Sequence, residues 1–254
     1  MDTSYGVEEA NRVKEGDDSQ KPGIMFPAYK NTHLWLLVPF LLVLVGFVPS
    51  YWAKFFDAPF RHHLHGISAT AWFLILVFQP YLITRGSKQK HRFYGLVSLF
   101  IAGGVVFSAL SVVPFNFSGN MPDVPKYGLT FFDLVMVSGF SVSVFMAVKS
   151  VRVVADHAKW MISTVFWSLM PGLLRLMMAV TAILVNGDPR PYAPFLLTVC
   201  GLINIVVLAS LMYRSRQAHP AYILAAIGSL PLLSIEFIAG MEWWMTVADA
   251  LFSP

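Results

Sequence analysis

Charge is scarce in this chain. Asp, Glu, Lys and Arg make up 13% of its 254 residues, where an ordinary soluble domain carries about 25%. Cysteine is nearly absent. Cys200 stands alone inside an apolar run, so no internal disulfide forms, and the thiol reads as a small buried hydrophobe. No glycine loop for phosphate is present, because Gly103 and Gly104 fall in mid-helix. The Gly-x-Ser-x-Gly elbow and the His-Glu-x-x-His zinc helix are missing too. The net charge of +4 sits in short loops. Membrane topology uses such charge, and no nucleic-acid partner is implied.

What the chain has is hydrophobicity, 56% of its residues, gathered in long runs. Runs of roughly 20 residues match about 30 Å of hydrocarbon. The sequence therefore predicts an all-α, polytopic transmembrane bundle of seven helices in a lipid bilayer. The spans are expected at 33–53, 60–84, 91–113, 128–148, 157–185, 192–213 and 221–251. Residues 1–30 read as a polar tail with no signal peptide, and 31–254 as one transmembrane domain. Pro39, Pro80, Pro171 and Pro231 fall within spans and can kink them. Arg85, Lys88, Lys90 and Arg92 crowd one link, with Lys149, Arg152, Lys159, Arg214 and Arg216 on the same side. The opposite links are poorer in cations. This bias puts the N-terminus in the cytoplasm and the C-terminus outside.

The densest set of possible ligands is Arg61-His62-His63-Leu64-His65-Gly66, at the mouth of the second span. His62 and His65 share a helix face. Asp133 and Glu242 are expected at a similar outer depth, and imidazoles with carboxylates suit a divalent metal ion. The alternative is a set of interfacial histidines bonded to loops and headgroups. Deeper, Arg175 and Glu236 are expected at comparable depth as a buried ion pair, serving either packing or a proton or anion site.

At the inner side, His91 opens the third span and His157 the fifth. Two histidines on different helices at one depth can ligate a haem iron from both faces. Phe93, Tyr94, Trp160, Met161 and Trp167 would suit a porphyrin, with Arg92 and Lys159 near its propionates. The alternative is that His91 and His157 anchor helix ends at the interface. His33 and His219 read as interfacial only.

His65-Gly66, Gln79, His91-Arg92-x-x-Gly95, His157-x-x-Trp160-Met161 and Arg175 together resemble a family of bacterial multi-pass membrane proteins known as a domain of unknown function. The resemblance covers roughly residues 60–180. It implies a bacterial cytoplasmic (inner) membrane and no particular activity. This chain has Ala158 where that pattern has arginine, and extra histidines at 62 and 63. A looser likeness is to transmembrane di-haem cytochromes of the b type, which implies one haem site at His91 and His157.

Three functions are expected from these residues. The leading one is an integral membrane redox protein binding one haem b and exchanging electrons with a quinone or a larger membrane complex. The second is a metal-dependent membrane enzyme at His62, His65, Asp133 and Glu242, acting on a lipid-soluble substrate. The third is a non-catalytic accessory subunit or small transporter.

Overall fold

The structure is a computed structural model that describes residues 29–119 and 121–252. The expected polar tail lies outside these residues except for its last two. The described residues are all-helical. α1 is Thr32–Gly46, α2 Phe60–Thr84, α3 Lys88–Phe117 and α4 Asp123–Lys149. α5, Val154–Ser168, and α6, Met170–Val185, join at Leu169 as one kinked span. α7 is Ala193–Ser215. α8, Pro220–Ser229, continues through a 3-10 turn at Leu230–Ser234 into the short α9, Ile235–Ala239, and α10 is Glu242–Phe252.

Six helices are long and apolar enough to cross a membrane, the last of them running Pro220–Ala239. Their outer faces carry exposed Phe100, Phe107, Ile183, Leu184, Val206 and Phe237. Apolar surface of that extent suits lipid rather than water. The protein is thus a multi-pass helical membrane protein.

Two expected spans differ from the helices found. The first was expected to reach residue 53, yet α1 is 15 residues long and stops at Gly46. Pro49 accounts for this, since it lacks an N–H and excludes the residue before it from helical backbone. The chain then forms a 3-10 turn at Trp52–Asp57. The last span was expected to run to 251. Pro231 tightens it to 3-10 geometry, and the chain breaks at Gly240 and Met241 before α10. α10 then folds back onto α4, where Trp244 Nε1 donates to Tyr127 O at 2.9 Å.

The core is built on aromatic rings seated in small-residue gaps. Trp167 lies against both Gly139 of α4 and Gly228 of α8, where any Cβ would collide with its ring. Its Nε1 donates to Ser143 Oγ at 2.8 Å. Trp72 of α2 donates to Thr164 Oγ1 at 3.2 Å and so ties α2 to α5. Several buried polar groups here pair across helices, as membrane interiors favour. Asn204 Nδ2, for instance, donates to Ser229 Oγ at 2.8 Å.

Candidate functional site

Four helix ends converge at the basic end of the bundle. α2 brings Gln79, α3 brings His91, α4 brings Ala147 and α5 brings His157. The rings of His91 and His157 meet edge-to-face, with centroids 6.4 Å apart and planes at 83°. His157 Nδ1 donates to Ala147 O at 2.8 Å, which fixes the tautomer and leaves Nε2 bare. Gln79 is buried and its Nε2 donates to His91 O at 3.3 Å, holding the start of α3. His91 Nδ1 and Gln79 Oε1 are both buried without a hydrogen-bond partner.

The expected rim is arranged differently. Lys159 donates to Gln217 Oε1, so its ammonium is turned to the α7–α8 link. Trp160 packs edge-on against His219, with centroids 5.7 Å apart. Arg92 is exposed.

His219 was expected to be merely interfacial. Instead it is 5% exposed and joins α5 to α8. Its Nδ1 accepts from Ala221 N at 3.2 Å and so caps α8. Its Nε2 lies 3.4 Å from Asp156 Oδ1 at the start of α5. Burial, reinforced by the Lys159 charge, lowers its pKa from 6.5 against the opposing pull of Asp156. A His-Pro pair just before an apolar run was the available signal, since an imidazole can cap where proline opens a helix.

The other polar cluster lies towards the opposite end. His65 Nδ1 shares a 3.2 Å hydrogen bond with Ser108 Oγ of α3, and Ser68 Oγ lies 3.1 Å from the same hydroxyl. His63 Nδ1 takes the hydroxyl of Tyr51 at 3.1 Å, and burial raises the pKa of that phenol. Tyr51 can lie there because Gly66 has no Cβ, which would stand 2.8 Å from the ring. His62 packs edge-on to Phe115 at 5.3 Å, and its Nδ1 is buried without a partner.

Asp133 and Arg175 each lie ten residues from the end of their span on this side, about 15 Å along the helix. Arg175 is exposed although it is placed in mid-span. Its guanidinium donates to Pro171 O at 3.0 Å and lies 4.5 Å from the Phe47 ring centroid.

The expected pairing of Arg175 with Glu236 is absent, for no ion pair joins the two and Glu236 is exposed on the short α9. Glu242 opens α10 and is exposed as well. Among the described residues, no three His, Cys, Asp or Glu side chains gather as a metal-binding group. His62, His65, Asp133 and Glu242 are thus not gathered into one such group among the described residues.

No family model matches the chain, and neither a curated protein nor a solved structure does so.

Proposed function

We propose that this protein is an integral membrane redox protein that holds one b-type haem between His91 and His157. It would cross a bacterial cytoplasmic membrane with seven apolar helices, N-terminus in the cytoplasm and C-terminus outside. The observation that carries the reading is the 6.4 Å between the two imidazole centres. A metal–imidazole bond is about 2 Å long. Two imidazoles at the observed spacing could both hold one iron, which would supply the redox chemistry.

The donor chemistry also fits. The Ala147 carbonyl holds His157 Nδ1–H, so the remaining nitrogen is the metal-directed one. Gln79 steadies the backbone of His91. Lys159 is taken by Gln217, so the cation left for a propionate is the exposed Arg92. The haem would supply one-electron exchange, with a quinone or a partner complex at the other end. The chain's own residues orient the two imidazoles and fix one tautomer.

A visible spectrum of the protein purified from membranes tests this. A Soret band with sharp α and β bands on reduction is expected. His91→Ala and His157→Ala should each abolish it, and His65→Ala should keep it. A flat spectrum, or cofactor retained in both inner variants, would sink the assignment.

A second reading, a small transporter of protons or anions, is favoured by one observation. Arg175 is exposed in mid-span, ten residues from the end of its span, as Asp133 is from the end of its own. Ionisable groups at such depth commonly mark a pathway. Proteoliposomes should then show proton or anion flux that Arg175→Gln removes. Equal flux in the variant would end this reading.

A further inference from the structure

Two cavities adjoin where α2 and α3 meet the basic link. The larger, about 700 Å³, is walled on the link side by Arg85, Ser87 and Lys90 and on the helix side by Phe78, Tyr81 and Tyr94. The smaller, about 380 Å³, shares those three aromatic residues. It continues along α2 past Val77, Ile75 and Leu74. Leu74 lies seven residues before Tyr81 on α2, so this trough reaches about 10 Å deeper. His33 at the start of α1 closes one side, edge-on to Tyr81 at 5.6 Å.

The two cavities differ in chemistry. The first has two exposed cations and no carboxylate in its wall. Neither Arg85 nor Lys90 joins an ion pair among the described residues. The Arg85 guanidinium lies 5.1 Å from the Tyr81 ring centroid, which holds it over the cavity mouth. The second is apolar except for His33. A chamber with a cationic rim and aromatic walls, opening into a deeper apolar trough, has the shape and charge of a lipid mould.

We infer that the pair forms one binding site for an anionic phospholipid. The phosphate would lie between Arg85 and Lys90, and an acyl chain along Leu74, Ile75 and Val77. Basic pockets at the ends of transmembrane helices are suited to acidic headgroups. A zwitterionic lipid would bring an ammonium against the two cations. A neutral quinone would leave both charges unpaired. The site stands on its own walls and does not depend on a haem at His91.

Thermal melting of the full chain in mild detergent tests the site, with defined lipids added. Phosphatidylglycerol should raise the melting temperature saturably, and phosphatidylcholine should not. Inorganic phosphate should not replace the lipid, because the trough would stay empty. The Arg85→Ala/Lys90→Ala variant should lose the effect. Arg214→Ala/Arg216→Ala, in another basic link, should keep it. Leu74→Trp, which narrows the trough and leaves the cations alone, should weaken the lipid at least tenfold. Equal stabilisation by phosphatidylcholine or by phosphate would overturn the inference. So would an undiminished lipid effect in the Arg85/Lys90 variant, or stabilisation by a ubiquinone in place of phosphatidylglycerol.

Discussion

Gly46 and Gly172 meet backbone to backbone where α1 crosses α6, with Gly46 pressed on the carbonyl of Gly172. From the other side, a Cβ at Gly172 would stand 2.8 Å from Val43 Cα. Close small-residue contact of this kind holds helices together where lipid offers no hydrophobic drive.

Gly172→Ala should therefore push α1 away from α6. Overpacking of this type costs about 1–3 kcal/mol. The melting temperature in detergent checks it. Gly103→Ala serves as the control, since a Cβ there meets nothing within 4 Å. Equal stability of the two variants would contradict the contact.

The Trp167 seat makes a second prediction. Gly139→Ala and Gly228→Ala both drive a methyl group into the indole. Each should destabilise by about 1–3 kcal/mol, and the Trp167 emission should shift as its Ser143 hydrogen bond strains. The pair should be non-additive, because both substitutions displace one ring. Fluorescence and melting of the single and double variants would decide it.

His219 predicts a pH dependence. Its folded pKa lies below the unfolded value of 6.5. The unfolded chain therefore binds the proton more readily, and stability from neutral His219 is full above about pH 6.5. It drains away as the pH falls from there towards the folded pKa. His219→Asn keeps a capping oxygen and cannot titrate. The melting temperature of the native protein should fall more steeply than that of the variant between pH 7 and 5. Parallel curves would remove His219 as the cause.

Asp133 and Arg175 predict an energetic coupling. Both lie ten residues from the end of their spans on one side of the bundle, so Arg175→Gln and Asp133→Asn test whether the two groups act on each other. The double variant should then lose less stability than the sum of the two, by about 0.5–3 kcal/mol. Strict additivity, measured by melting of the four proteins, would show that the two charges do not act on each other.

Much of the frame was legible because polar residues punctuate it. Pro59 and Arg85 bracket α2, and its expected limits match Phe60–Thr84. The ends of the first and last apolar runs were not legible from hydropathy. Pro49, Pro231 and Gly240 break the backbone there while apolar side chains continue. The apposition of His91 and His157 followed from depth, since both open helices at the same end. Depth alone misled for Arg175. Glu236 lies three residues from the end of its span at Ala239, whereas Arg175 lies ten from the end of its own, because the chain breaks at Gly240 while the apolar run continues. Ser108, the partner of His65, gave no signal, since a serine in an apolar run most often bonds its own helix, as Ser108 also does to Val105 O.

The shortness of α1 has a mechanical consequence for the bilayer. A helix of 15 residues covers about 22 Å, some 8 Å less than the hydrocarbon thickness. Its neighbour α2 is full length at 25 residues, so the mismatch falls on the α1 flank of the protein. Lipids beside α1 must thin or splay towards the aromatic turn of Trp52 and Phe55, while those on the far flank stay at normal height. Such a lopsided collar gives the protein a preferred partner in any surface that relieves the dent, and it favours membranes thinner than the average.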